Sequence, residues 1–306
     1  MKPTGSETEK KLTYLSHELE NLNGIVKGIL PLAGEIPLLT GFDIYGATMP
    51  LNGVVGGDHL IYVDFKQRYD LHARIEDAIH ENRPDIIENL DACKKRAGIV
   101  LIDVSGHQAT DAVLAGMLHQ AFLMGAIYEL DTSGQITSRL FEHLNTRFYS
   151  TSSIDKYLTM IYGEISEDAT FRFLSAAHPL PVVFSNKHNR FMEISKDLCT
   201  SFPPIGTIPS GNLIDQKIIK SVLGFKGGYK INEWKIIGRG DILLLYTDGL
   251  LEHSNPEKPY FPDHLEQIVR EVKHEKARTI WDAISNDLLH FNKPSDDISF
   301  VVIKRM

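Results

Sequence analysis

The 306-residue sequence predicts an α+β fold with no clean division into two cores. Short runs rich in β-branched and aromatic residues are interspersed with helical segments, two helical segments precede the last strand, and neither an internal repeat nor a low-complexity stretch divides the chain. Hydrophobic residues make up 42% and charged residues 24%, ordinary for a globular chain with a sizeable core.

Taken in order, apolar residues at Leu12, Leu15, Leu19, Leu22, Val26 and Ile29 alternate in steps of three and four. Such spacing suits either the seam of a short coiled coil or the buried face of a helix packed on its own domain. Gly24 and Gly28 weaken this helix and Pro31 ends it. "FDIYGATMP" and "DHLIYVDF" read as strands, separated by the glycine-bearing turn "LNGVVGG". Residues 70–96, with "LHARIEDAIHEN" and "PDIIENLDACKKR", form two helices, the second opened by Pro84. "GIVLIDV" is a buried strand, and the stretches from Ser105 to Leu130 and from Gln135 to Ser150 are helices. "YLTMIYGEIS" and "TFRFLSAAHPLPVVFS" alternate like paired strands around the turn "SEDA". After the loop "SFPPIGTIPSG" come strands "KINEWKII" and "ILLLY", helices "DHLEQIVREVKHE" and "ARTIWDAISNDLLHF", and the strand of "SDDISFVVIKR".

Several function classes are excluded or disfavoured. No uninterrupted apolar run reaches the roughly 18 residues of a membrane helix, and "MKPTGSETEKKL" has no apolar signal-peptide centre, so a cytoplasmic protein without a membrane partner is expected. A net charge of -8 without a basic stripe argues against nucleic acid as a partner. Cys93 and Cys199 stand in unrelated contexts and are expected as free thiols.

The acidic residues share one pattern. Asp103 ends "GIVLID", Asp248 ends "ILLLYTD", Asp296 and Asp297 begin "DDISFVVI", and Asp58 follows Gly56 and Gly57 at the start of a strand. A carboxylate buried at a strand end is costly unless it is paired or holds a cation. Taken singly, each could cap a turn or helix, Asp103 before "SGH" and Asp248 before "GLLEH". Together they suit a hard cation such as Mg²⁺ or Mn²⁺, which prefers carboxylate, carbonyl and water oxygens.

"VVGGDHLIYVDF", "LIDVSGH", "YLTMIYGEI", "FLSAAHPLPVVF", "GDILLLYTDGLLE" and "DDISFVVIK" occur in the order and approximate spacing of the metal-dependent serine/threonine protein phosphatases. From about residue 25 to the C-terminus the chain resembles the bacterial SpoIIE/RsbU-type branch of this PPM, or protein phosphatase 2C-like, family. The resemblance implies an αββα sandwich, residues 36–306 as the phosphatase domain, residues 1–35 as a helical regulatory segment, and a centre of two Mn²⁺ or Mg²⁺ ions. Asp58 would bridge the ions, Asp248 and Asp296 would complete one shell, and Asp103 would enter directly, through the Val104 carbonyl, or as an outer acid. Asp297 is a further candidate ligand, and Gly57 or its neighbour could add a backbone oxygen. The implied reaction is hydrolysis of a phosphoserine or phosphothreonine by metal-activated water with no protein nucleophile; a phosphatase-like module that binds a phosphoprotein without turnover is the alternative. A structural interaction protein whose acids are only caps is a third possibility.

His107 and His178 are candidates for proton delivery or for shaping loops. Three positions depart from the family pattern: Gln108 follows "SGH" where glycine is usual, Ala177 replaces the glycine of "AGHP", and His59 takes an aromatic residue's place. The helices of residues 70–96 lengthen a normally short link and are expected to act as a lid, docking surface or regulatory contact, or to be a tolerated surface insertion. The family further implies a phosphorylated STAS-type substrate in a partner-switching pathway, a sensor outside this chain, and a helix at residues 8–30 that dimerises or docks an activator.

Overall fold

In a computed structural model, which describes residues 5–28, 36–51, 56–106, 109–151, 157–211 and 221–306, the strands assemble into two facing sheets. The first contains, in spatial order, β1 (Phe42–Met49), β11 (Ile298–Arg305), β10 (Ile242–Tyr246), β6 (Val182–Ser185) and β7 (Arg190–Phe191), all antiparallel. The second contains β2 (His59–Asp64), β3 (Arg96–Val104), β4 (Leu158–Ser166), β5 (Phe171–Ala176) and β8 (Ser201–Phe202), with β9 (Asn232–Trp234) also paired to β5.

Strand side chains alternate between two buried environments, which is why these runs are apolar throughout. On β3, Ile99 and Leu101 face the other sheet and pack with Trp234, Leu243 and Val301. Val100 and Ile102 face outward beneath α3 (Leu71–His80), α4 (Pro84–Cys93), α5 (Ala109–Ser133) and α6 (Ser138–Thr151). On the first sheet, Leu244 and Phe300 are covered by Leu265 of α8 (Asp263–Val272) and Ile280 of α9 (Ala277–Phe291). Two sheets between two helix layers make the αββα sandwich that the resemblance implies.

One alternating stretch divides between the sheets. Phe171–Ala176 belongs to the second sheet and Val182–Ser185 to the first, so residues 177–181 carry the chain across. Ala177 adopts φ 54°, a left-handed turn, and Pro179 and Pro181 have no N–H for a ladder; the strand must stop.

The helices correct two expectations. Thr110–Ser133 of α5, of mean hydropathy 1.3, is long and apolar enough to cross a membrane by length and composition, although polar residues interrupt its apolar runs. Its Leu118, Phe122, Ala126 and Leu130 pack into the core, which accounts for that apolarity. Residues 70–96 are not a lid over the acids, because α3 and α4 pack at the opposite end of β3. There Arg74 Nε donates to Asp131 at 2.8 Å and Asn89 Nδ2 to the Ser133 carbonyl at 2.9 Å, at the C-terminal end of α5. Seven residue steps along β3, roughly 23 Å, separate Arg96 from Asp103.

The first helix, α1 (Gly5–Lys27), lies against α5, with Leu12 and Leu15 exposed. The side chains of Leu19, Leu22 and Val26, together with Ile29 and Pro31, lie outside the described residues. Nor are residues 70–96 a mere surface addition, since Ile86, Leu90 and Cys93 enter the core and Leu90 is 0% exposed. Leu90→Ala should therefore cost about 2–5 kcal/mol in chemical denaturation; a loss below about 0.5 kcal/mol, the scale of ordinary surface substitutions, would show that the segment is peripheral.

Candidate metal centre

Antiparallel register brings acids of distant sequence position to one rim. In the second sheet His59 pairs with Ile102, so Asp58 lies just beyond β2 beside Asp103, and Asp103 itself pairs with Thr159. In the first sheet Tyr246 pairs with Phe300, and the ladder continues as Thr247 N donates to the Ser299 carbonyl at 2.9 Å. Thus Asp248 and Asp296 leave neighbouring strands at the same end.

Burial and mutual repulsion then act on the carboxyls. Asp58 is 4% exposed, and burial, followed by the charge of Asp103, holds its carboxyl well above the usual carboxylate range. Thr247 Oγ1 opposes this shift by donating to Asp58 Oδ2 at 2.7 Å. Asp103 is pushed up to about 7 by burial and then by the charges of Asp248 and Asp296. Thr159 Oγ1, 3.3 Å from Asp103 Oδ2, favours its ionised form. Burial, Asp296 and Glu252 raise Asp248, which also hydrogen-bonds with Asp103. No lysine or arginine is among the leading influences on these three carboxyls.

Asp297 has a different setting. It is 2% exposed, and its Oδ1 and Oδ2 accept the Leu51 and Gly57 backbone N–H groups at 2.6 and 2.7 Å. These bonds tie the end of β11 to the loop that presents Asp58. The approach requires glycine: a Cβ at Gly56 would lie 2.0 Å from Asp297 Oδ2, and one at Gly249 would lie 1.9 Å from the Asp297 carbonyl oxygen. The carbonyl of Gly57, a candidate donor to a cation, accepts from Val104 N at 3.3 Å.

Simple capping explains little of this arrangement. Asp248 does open the one-turn helix α7 (Asp248–Leu251), and its carboxyl is influenced by the Gly249 N–H. Yet the Thr247 hydroxyl, at the N-cap position, serves Asp58 instead of the helix, and no described helix begins at Asp103. The donors are carboxylate oxygens, the chemistry of a hard divalent cation. Among the described residues, no group of three or more His, Cys, Asp or Glu side chains lies close enough together to hold a metal ion in the positions they occupy. The rim is a set of mutually repelling acids drawn from both sheets.

His178 is 3% exposed with Nδ1 2.9 Å from Thr159 Oγ1, and burial lowers its pKa to about 3, so near neutrality it carries no extra proton to deliver. His59 is buried with Nε2 2.6 Å from His119 Nδ1, tying β2 to α5. His107 and Gln108 lie outside the described residues. At Ala177 the φ of 54° supplies a reason for glycine in the family pattern: the turn is left-handed. Thr159, Thr247 and Ser299 escaped the reading of the sequence; the only available signal was the hydroxyl of Thr247 immediately before Asp248.

Facing sheets between helix layers, with an acidic rim, have the architecture of PP2C-type phosphatases. Residues 94–306 match the family model described as Stage II sporulation protein E (SpoIIE), and the chain belongs to this PP2C-type family. Asp58 precedes the matched region and is placed by sheet pairing alone. Phosphoserine phosphatase RsbP of Bacillus subtilis (strain 168) is 25% identical over 193 residues, which cover 59% of this chain and 42% of that protein. The match thus spans less than half the length of this curated relative.

Solved structures share the fold. The RsbU and RsbW domains of Rv1364c from Mycobacterium tuberculosis have a TM-score of 0.61 at 19% identity, covering 90% of this chain and 64% of that one. The SiaA-PP2C domain of Pseudomonas aeruginosa has a TM-score of 0.62 at 15% identity, covering 97% and 98%. RsbX in complex with magnesium has a TM-score of 0.51 at 11% identity, covering 89% and 98%.

The raised Asp103 gives a signed pH dependence. Its folded pKa, about 7, exceeds its ordinary 3.8, so its contribution to stability is complete below pH 3.8 and is lost as pH rises through about 7. His59 and His178, held neutral by burial, act in the opposite sense and add stability as pH rises toward 6.5. The Asp103 contribution is therefore read as a difference: in EDTA the melting temperature of wild type minus that of Asp103→Asn should fall from about pH 5 to about pH 8. A difference that stays constant or grows across this interval would contradict the repulsive arrangement.

Proposed function

We propose that the chain is a Mn²⁺- or Mg²⁺-dependent phosphoprotein phosphatase in which Asp58, Asp103, Asp248 and Asp296 hold two ions. The observation that carries this reading is the meeting of four carboxyls from both sheets at one rim, with those of Asp58, Asp103 and Asp248 all raised. Bound ions would supply a water acidic enough to yield hydroxide near neutrality and would offset the charge of the phosphate.

The remaining work belongs to the chain itself. Thr247 orients Asp58 through its hydroxyl, while Asp297 fixes the loop ahead of Asp58 by holding two backbone N–H groups. On this reading Asp297 braces the site, and the Gly57 carbonyl can offer its remaining lone pair. The partly exposed Asp296 and Asp248 lie toward solvent, where a protein-borne phosphoserine or phosphothreonine can reach them. The buried thiol of Cys93, with its pKa pushed up to about 12, is unsuited to be a nucleophile.

The proposed substrate is a phosphorylated STAS-type anti-sigma-factor antagonist in a partner-switching pathway, the setting in which SpoIIE/RsbU-type phosphatases act. Such a role is consistent with a cytoplasmic protein. The exposed Leu12 and Leu15 of α1 support pairing of this helix with a second copy or with an activator. A module that binds phosphoprotein without turnover is the competing reading.

Hydrolysis of p-nitrophenyl phosphate and a phosphoserine peptide should require Mn²⁺ or Mg²⁺, cease in EDTA, and fall at least about 100-fold in kcat for Asp248→Asn. Unchanged turnover in EDTA would overturn the metal assignment, whereas metal binding by a folded chain without turnover, even with phosphorylated STAS protein, would favour the binding module.

A further inference from the structure

Behind Asp103 lies a hydrogen-bonded chain that links the two sheets. Thr159 is the cross-strand partner of Asp103, and its Oγ1 lies 3.3 Å from Asp103 Oδ2 and 2.9 Å from His178 Nδ1. Nε2 of His178 is buried without a well-aligned hydrogen-bond partner. Thr159 has a single hydroxyl hydrogen, and with that hydrogen donated to Asp103 Oδ2 its contact with His178 is made by Nδ1–H donating to Thr159 Oγ1.

The backbone holds the ring in this position. Ala177 turns through its left-handed φ and bridges Met160 of β4, while Ser175 Oγ donates to the His178 carbonyl at 3.1 Å. From the first sheet the Tyr246 main chain approaches the same ring, two residues before Asp248. The imidazole therefore stands between the strand opposite Asp103 and the strand that delivers Asp248.

We propose that His178, acting through Thr159, is a positioning residue that fixes the Asp103 carboxylate and sets its separation from Asp248. This inference rests on the proposed metal-dependent phosphatase. It assigns His178 no contact with substrate and no proton transfer. Its effect is to spare the site the ordering of Asp103 when a cation binds, the function of outer groups around metal ligands in general.

Calorimetric titration with Mn²⁺ tests the inference independently of turnover. Thr159→Val and His178→Leu should each weaken Mn²⁺ binding about 10–100-fold and lower kcat more than they raise KM. Thr159→Ser, which keeps the hydroxyl, should stay within about threefold of wild type. Melting in EDTA establishes that the variants fold, and should His178→Leu fail to do so, the Thr159 pair decides alone. Wild-type Mn²⁺ affinity and kcat in Thr159→Val, alongside lost binding in Asp248→Asn, would overturn the positioning role while leaving the metal site intact. Undiminished Mn²⁺ binding in Asp248→Asn would overturn the metal site and the inference together.

Discussion

Repulsion among the carboxyls of Asp58, Asp103, Asp248 and Asp296 is the constraint around which this end of the sandwich is organised. Acids stripped of water and set against one another destabilise a fold unless a proton or a cation offsets their charge. In the chain alone burial and repulsion raise the carboxyls of Asp58, Asp103 and Asp248, which favours a proton as the group that offsets the charge. A divalent ion would replace protons with stronger and more directional interactions, so the proposed metal dependence and the part of the pH dependence that belongs to Asp103 share one electrostatic cause.

A site held by repelling groups needs rigid supports, and they come from outside the acids. The ladder between β10 and β11 fixes Thr247 opposite Ser299, and Thr247 in turn holds Asp58 across the gap between the sheets. Asp297 ties the end of β11 to the loop before β2. Gly56 and Gly249 permit these approaches because a side chain at either position would collide with Asp297. Beneath these supports, three apolar layers anchor the strands, while α3 and α4 strengthen the opposite end of β3 without covering the rim.

Much of this was legible in the sequence, for physical reasons. Continuous apolar runs marked β3 and β10, alternation marked β4, Pro84 marked the start of α4, and acids at the ends of greasy strands marked the rim, since burying a charge there has few other justifications. Partners fixed by register were illegible: nothing local in "YLTMIYGEI" shows that Thr159 faces Asp103, or that His178 stands behind both. The division of residues 171–185 between two sheets was hidden because their apolar pattern continues across the crossing, and only the backbone at Ala177 shows the break. Likewise Asp296 and Asp297 are adjacent acids in sequence, but only the fold turns one toward Asp103 and Asp248 and gives the other two backbone N–H groups.

Equilibrium dialysis against Mn²⁺, followed by metal analysis of wild type and Asp58→Asn, tests most directly whether these acids form a two-ion centre. Saturation at about two ions per wild-type chain, with at least one lost in the folded variant, is the expected result. No bound ion in the wild type, or the same two ions in the variant, would contradict it.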